Sequence, residues 1–151
     1  MQKVIVIGCP DSGKSTFSNV LHDARGLPLY HLYMMNRNAD GTNVPKYIFM
    51  ERLHQALEKE SWIIDGNYGS TMELWMQFCD TVFFLDYSLD ICIDGIKSRK
   101  GKKRTDIPCI TLEDEDKEFV EFIINYNSTS RPTVMELLQK YSHKRIIIFK
   151  D

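Results

Sequence analysis

The stretch that decides the fold is VIVIGCPDSGKST, residues 4–16. Its four β-branched residues favour a strand, and they are followed by the pattern Gly8-x-x-x-x-Gly13-Lys14-Ser15 and then by sequence that favours a helix. The glycines of such a pattern allow a tight turn whose backbone amides, with the positive end of the helix, surround a phosphate group. The stretch therefore predicts a P-loop, and with it a nucleotide-binding protein.

The motif positions have separate expected roles. Lys14 bridges the β- and γ-phosphates of a nucleoside triphosphate, and the Ser15 hydroxyl holds Mg²⁺. We therefore expect ATP and Mg²⁺ as cofactors. The motif residues predicted to contact the nucleotide are Gly8, Asp11, Ser12, Gly13, Lys14, Ser15 and Thr16.

The composition fits one domain, residues 1–151. Of its residues, 43% are hydrophobic and 26% are charged, which is sufficient for one substantial core. The net charge of −2 gives no general attraction to nucleic acid or to an anionic membrane. The longest apolar segments have the length of strands, far below the roughly 20 residues of a membrane-spanning helix. We expect neither a membrane nor a nucleic-acid partner.

The cysteines and the first residues of the chain bear on location. Cys9, Cys79, Cys92 and Cys109 form neither a CxxC pair nor a histidine-spaced metal signature. The first strand begins too early to leave room for a signal peptide. We therefore expect a cytoplasmic protein with reduced thiols.

Strand-like and helix-like segments alternate along the chain. The predicted strands are residues 1–7, 27–32, 62–65, 81–85 and 146–149. Two predicted helices cover residues 14–25 and residues 89–98. A helix that begins at Pro45 has the apolar face Phe49, Leu53, Ala56 and Leu57, and a helix capped by Thr111 and Asp114 has the face Phe119, Phe122, Ile123 and Tyr126. A last predicted helix begins at Ser130 and Pro132. This alternation predicts an α/β fold with a five-stranded parallel sheet and helices on both faces. Ligands of such folds lie at the carboxyl ends of the strands.

Polar residues stand at several of these strand ends. Asp65 follows a buried apolar strand, and we interpret it as the acid beside the P-loop that fixes water around Mg²⁺ or polarises the attacking hydroxyl. The alternative is a turn or cap, since Asp-Gly is also a common turn dipeptide. Asp86 fits a functional role or a helix cap equally well. His31 is interpreted as a half-buried strand-end residue in preference to a catalytic base.

A basic run occupies residues 97–104, with six Lys or Arg in eight positions. Runs of this kind are usually solvated faces or nucleic-acid patches. Its place after the fourth strand and the next helix favours a small lid around residues 99–110, which closes over the transferring phosphoryl group. Arg99 and Arg104 are the predicted phosphate contacts, because guanidinium groups bind phosphate in a bidentate manner.

Several segments together resemble one family. They are residues 8–16, 27–32, 62–68, 83–87 and 99–104, with Arg131-Pro132. This combination resembles bacterial P-loop kinases called DNA topology modulation proteins, which are similar in turn to adenylate and shikimate kinases. The resemblance covers essentially the whole chain, and the Asp-Gly-Asn-Tyr segment at 65–68 is its most specific element beyond the P-loop.

The resemblance implies a fold of the nucleoside-monophosphate-kinase type with strand order 2-3-1-4-5. It implies that Asp65 lies near the metal and the acceptor, that the basic run is a lid, and that Arg131 contacts the nucleotide. No residue indicates topoisomerase chemistry on DNA.

The chain departs from this family at two points. Tyr33 stands where relatives carry an aspartate, and in related small-molecule kinases that acid contacts the acceptor. Relatives also continue beyond the fifth strand through a loop that packs on the adenine base. Either the base site is minimal here or the chain is shortened.

Three functions follow from these residues. The first is a phosphotransferase that uses ATP and Mg²⁺ and acts on a nucleotide-like or small hydroxyl acceptor; its catalytic residues are predicted to be Lys14, Asp65, Arg99 and Arg104, with Ser15 and Asp65 at the metal. The second is a regulatory protein that binds a nucleotide with little or no turnover, which Tyr33 and the end of the chain favour. The third is an ATPase that interacts with nucleic acid through the basic run, against which the net charge and the lack of interleaved aromatic residues count. The acceptor and the oligomeric state stay open.

Overall fold

A five-stranded parallel sheet forms the centre of the structure, a computed structural model that describes residues 1–9, 13–66, 69–87 and 116–150. The strands are β1 (Lys3–Gly8), β2 (Leu29–His31), β3 (Trp62–Asp65), β4 (Thr81–Leu85) and β5 (Arg145–Phe149). Their order across the sheet is β2-β3-β1-β4-β5, and every pair is parallel. The predicted sheet and its strand order are confirmed, with β2 shorter than the predicted residues 27–32.

Helices cover both faces of this sheet. They are α1 (Lys14–Arg25), α2 (Leu32–Met35), α3 (Lys46–Leu57), α4 (Gly69–Phe78) and α5 (Asp116–Lys140). Side chains of α1 pack with those of β1 and β4 on one face, whereas α3, α4 and α5 contribute to the core on the other face. None of these helices is long and apolar enough to cross a membrane within the described residues.

Successive side chains along each strand point to opposite faces of the sheet, which divides the core into two parts. In β1, Val4 and Val6 point to the α1 face, and Ile5 and Ile7 point to the opposite face. The larger core lies on that opposite face, where the predicted apolar residues of α3 are all buried with the fully buried side chains of two tryptophans, Trp62 and Trp75. The continuous apolarity of the strands follows from burial on both sides.

The ends of α1 explain two glycines of the sequence. Gly13 precedes the helix with φ 95° and Gly26 follows it with φ 70°, both in the left-handed region that favours glycine. The Gly26 N–H donates to the His22 carbonyl at 2.8 Å, which closes the last turn. The predicted bounds of this helix are confirmed.

The prediction of a helix beginning at Ser130 and Pro132 is wrong. Pro132 lies inside α5, which continues from Asp116 to Lys140. Tyr126 before the proline and Val134, Leu137 and Leu138 after it are all buried, and their spacing is that of one helical face. Packing of this face against the core outweighs the cost of an interior proline, about 3 kcal/mol, while the proline itself is exposed.

Two further helices were not predicted. Helix α4 carries Met72, Trp75 and Met76 at helical spacing, so that its signal is present in the sequence. Helix α2 is a single turn whose start follows β2 directly. The predicted helix over 89–98 and the start at Thr111 and Asp114 lie outside the described residues.

Candidate functional site

Strand β1 and helix α1 flank the predicted P-loop, whose residues 10–12 lie outside the described part of the chain. Strand β1 runs to Gly8, and α1 begins after Gly13 with a first turn that contains no acidic residue. The backbone N–H groups of this turn have no acceptor within the helix and carry its positive partial charge. The 12-residue helix therefore presents an anion-binding end at the carboxyl edge of the sheet.

The lysine of the motif, Lys14, is buried and contacts the backbone just after β1. Lys14 is 8% exposed, and its Nζ donates to the Cys9 carbonyl at 2.9 Å. Ser15 is likewise 8% exposed, whereas Thr16 is exposed. The Lys14 ammonium and the Ser15 hydroxyl thus lie between the end of β1 and the start of α1.

Asp65, which is buried, and His31, which is partly buried, form a pair beside this junction. They are the last residues of β3 and β2, and they are register partners on these neighbouring strands. The Asp65 side chain is 4% exposed and the His31 side chain 10%. The distances from His31 Nδ1 to Asp65 Oδ1 and Oδ2 are 2.9 and 2.7 Å. An ionised carboxylate only accepts hydrogen bonds, so with Asp65 ionised this contact requires the imidazole tautomer that has its proton on Nδ1.

Close packing next to this pair explains the glycine after Asp65. A Cβ at Gly66 would lie 2.5 Å from Leu32 Cδ1 and 2.8 Å from Leu32 Cβ and Cγ. Leu32 follows His31 directly and is fully buried at the start of α2. The absent side chain at position 66 therefore allows α2 to pack on the end of β3, which brings His31 to Asp65.

A second pair lies on the other side of β1. Asp86 follows β4, and its backbone N–H donates to the Phe149 carbonyl at 2.8 Å. Its carboxylate accepts from Arg131 Nε at 2.9 Å and from Arg131 Nη2 at 2.8 Å, a bidentate contact. These hydrogen bonds raise the pKa of the Arg131 guanidinium. The contact joins α5 to the carboxyl edge of the sheet.

The structure thus brings all of the described candidate residues to one edge. Gly8, Gly13, Lys14, Ser15 and Thr16 lie at the junction, Asp65 on one side of it and Arg131 on the other. Asp11, Ser12, Arg99 and Arg104, with the predicted lid, lie outside the described residues. The sequence did not predict the partners of Asp65 and Asp86, although His31 and Asp65 were both placed at strand ends.

The donors at this edge bear on the predicted metal. Within the part of the chain that the structure describes, no three His, Cys, Asp or Glu side chains are grouped as metal ligands. Among the described residues, the Ser15 hydroxyl and the Asp65 carboxylate are buried oxygen donors beside the junction, and Mg²⁺ prefers oxygen ligands.

Comparison with solved structures agrees with this fold. The crystal structure of shikimate kinase from Bacteroides thetaiotaomicron matches with a TM-score of 0.53 and 18% identity, over 97% of this chain and 84% of that one. Shikimate kinase from Aquifex aeolicus matches with a TM-score of 0.52 and 20% identity, over the same shares of the two chains. The chain therefore has the fold of a P-loop kinase.

Comparison by sequence adds no relative. No protein-family model and no curated protein matches the chain. The more specific resemblance to the DNA topology modulation proteins has no support from these comparisons and stays a prediction.

Proposed function

We propose that this protein is a phosphotransferase that uses ATP and Mg²⁺ and acts on a small nucleotide-like or hydroxyl-bearing acceptor. The observation that carries the proposal is the junction of β1 and α1, where Lys14 and Ser15 lie buried at an anion-binding helix end. Asp65, at the end of the neighbouring strand β3, adds a buried carboxylate to the same edge. The proposal is supported by the general rule that ligands of open parallel α/β sheets bind at this edge.

The donor side of the proposed site binds the triphosphate. The first-turn amides of α1 and the Lys14 ammonium supply positive charge, and Lys14 exchanges its contact with the Cys9 carbonyl for the β- and γ-phosphates. The other proposed nucleotide contacts are Gly8, Asp11, Ser12, Gly13, Thr16 and Arg131. Catalysis of this kind consists largely of positioning and neutralisation of charge.

The residues present fit Mg²⁺ when it is bound with the nucleotide. This ion binds through one or two protein oxygens and keeps several waters, so that the Ser15 hydroxyl and the Asp65 carboxylate are sufficient protein donors beside the phosphates. The bound ion would neutralise charge on the phosphates. The Asp65 carboxylate has about four lone-pair positions, so its contact with His31 leaves capacity for a metal-bound water.

The lid and the acceptor side of the proposal rest on the sequence. Arg99 and Arg104 supply charge to the transferring phosphoryl group from a basic lid around residues 99–110. The acceptor pocket is assigned to the segment 33–44, which begins with Tyr33 in α2. The proposal treats the chain as one cytoplasmic domain, and the resemblance to bacterial P-loop kinases is consistent with it.

A second candidate function is nucleotide binding with little or no turnover. Tyr33 favours it, since a phenol stands where related kinases place an acid against the acceptor. This function shares the donor side of the site and differs from the first in requiring no acceptor.

ADP release in the presence of Mg-ATP and a panel of acceptors separates the two functions. The panel contains nucleoside monophosphates and small alcohols, and the variants are Lys14→Ala and the matched surface variant Lys140→Ala. A phosphotransferase releases ADP in proportion to one acceptor, and only Lys14→Ala abolishes that release. Mg-ATP binding without acceptor-dependent ADP release across the panel would overturn the proposal in favour of the second function.

A further inference from the structure

The His31–Asp65 pair is made of two polar side chains in an apolar part of the sheet. The residues before Asp65 in β3 are apolar and fully buried, as is Leu32 after His31. A buried polar or charged pair is weak evidence for stability, because well-packed apolar residues often stabilise a fold as much or more. The pair therefore calls for an explanation other than stability.

The geometry makes His31 a support for Asp65. An unsupported carboxylate at a strand end rotates about χ2, whereas a donor that lies 2.9 and 2.7 Å from its two oxygens holds the plane of the group. The backbone of His31 is itself fixed by the parallel pairing with Asp65 and by the packing of Leu32 on Gly66. The imidazole thus holds the carboxylate from a rigid neighbouring element.

We propose that His31 is a positioning residue of the phosphotransfer site, which acts through Asp65 and makes no contact with the acceptor or the nucleotide. Its Nδ1–H fixes the Asp65 carboxylate in the orientation that receives metal-bound water. This inference rests on the proposed function, because it presupposes the role of Asp65 at Mg²⁺. Partners of this kind orient metal-site ligands, and their loss costs roughly ten- to a hundredfold in metal affinity or activity.

A double-mutant cycle on nucleotide binding tests the inference without any need for turnover. The quantity measured is the ratio of ADP affinity with Mg²⁺ to ADP affinity without it, in the wild type, His31→Leu, Asp65→Asn and the double variant. If His31 acts only through Asp65, His31→Leu and Asp65→Asn each lower the ratio about tenfold, and the double variant falls no further. A structural role for His31 gives two losses that multiply in the double variant.

A conservative pair of variants guards against loss of the fold. His31→Asn keeps a side-chain N–H near the position of Nδ1, and His31→Gln moves it outward. We expect His31→Asn to retain the magnesium-dependent ratio within about threefold and His31→Gln to lose it, with similar thermal unfolding temperatures for both. Nitrogen NMR of the His31 ring in the wild type reports directly whether Nδ1 carries the proton and whether Asp65→Asn changes it.

The outcomes separate this inference from the function on which it rests. A wild-type ratio in His31→Leu with a lowered ratio in Asp65→Asn overturns the positioning role and leaves the proposed function intact. Multiplying losses in the double variant also overturn it. An unchanged ratio in Asp65→Asn overturns the metal role of Asp65 and this inference together, whereas acceptor-dependent ADP release still decides whether the protein is a kinase.

Discussion

At the amino end of the sheet, the aspartate that precedes β4 binds the backbone. The Asp80 carboxylate accepts from the N–H groups of Gln2 and Lys3 at 3.0 and 2.8 Å, and from the Thr81 hydroxyl at 2.7 Å. Its own N–H donates to the Lys3 carbonyl, and its carbonyl accepts from the N–H of Arg145. Asp80 thereby links the first residues of β1, β4 and β5 through hydrogen bonds.

At the carboxyl end, the carboxylates of the aspartate that ends β3 and of the aspartate that follows β4 bind side chains instead. Asp65 accepts from His31, and Asp86 accepts from Arg131. Aspartate therefore has a different role at each end of the sheet. A carboxylate bound to backbone amides holds strands in place, whereas a carboxylate bound to another side chain fixes the orientation of both groups.

The largest expected loss of stability comes from Gly66→Ala at the carboxyl end of the sheet. The new Cβ meets Leu32 at 2.5 to 2.8 Å, so that α2 must shift and the free energy of unfolding falls by about 2–3 kcal/mol. The shift also moves His31 away from Asp65 and lowers the magnesium-dependent part of nucleotide affinity. Urea denaturation and calorimetric titration measure the two effects.

Gly26→Ala is the matched control for that variant. A Cβ at Gly26 meets nothing within 4 Å, and the cost is only the strain of a left-handed φ of 70°, about 1 kcal/mol. Nucleotide affinity stays at the wild-type value. Equal losses of stability in the two alanine variants would contradict the close packing at Gly66.

The next effect in size is that of Asp80→Ala at the amino end. The variant loses three hydrogen bonds to the carboxylate, two of them from backbone amides, and we expect the free energy of unfolding to fall by about 2 kcal/mol. Because Asp80 lies at the end of the sheet opposite to the P-loop, nucleotide affinity is unchanged within about twofold. A large loss of nucleotide affinity in Asp80→Ala would contradict the proposed difference in role between the amino and carboxyl ends of the sheet.

A smaller effect on stability is expected when the Asp86–Arg131 pair is broken. The arginine side chain is 35% exposed, so solvent screens the interaction and Arg131→Ala costs no more than about 1 kcal/mol. If Arg131 contacts the nucleotide, the same variant weakens Mg-ATP binding about fivefold or more, a loss of about 1 kcal/mol. Stability loss without any change in affinity would assign Arg131 to the structural group with Asp80.

The smallest effect is the pH dependence that Asp80 contributes. Burial raises the pKa of this carboxyl, but the hydrogen bonds from Thr81, Lys3 and Gln2 outweigh it and the pKa is lowered. A lowered folded pKa stabilises the fold above the unfolded value of about 3.9, and this contribution is lost as the pH falls through the folded value. The difference in unfolding free energy between the wild type and Asp80→Asn should therefore shrink between pH 5 and pH 2. A constant difference over that range would contradict the hydrogen bonds of Asp80.

The sheet and helix α1 were predictable because their signals are local. Apolar runs of strand length, the glycines of the motif and Gly26 at the end of α1 each act within a few residues. The helix across Pro132 was not predictable from that proline, since the burial of Val134 and Leu138 on one face decides it. Local preference favours a break there, and tertiary packing overrides it.

The partners of the two aspartates at the carboxyl end could not be predicted from the sequence for a related reason. His31 lies 34 positions from Asp65, and Asp86 lies 45 positions from Arg131. Neither spacing belongs to a motif, because each contact arises only after the strands are ordered in the sheet. The candidate residues come from the sequence, whereas the fold determines which of them contact one another.

Calorimetric titration of Mg-ATP into the wild type, Lys14→Ala and Lys140→Ala tests the central claim most directly. Loss of a charge-assisted contact to phosphate costs roughly 1.5–3 kcal/mol, so that Lys14→Ala should bind at least about tenfold more weakly than the wild type. Lys140→Ala, whose lysine pairs with Glu73 on the surface, should bind as the wild type does. Equal affinities in all three proteins, or no binding by the wild type, would contradict the assignment of a nucleotide site to the junction of β1 and α1.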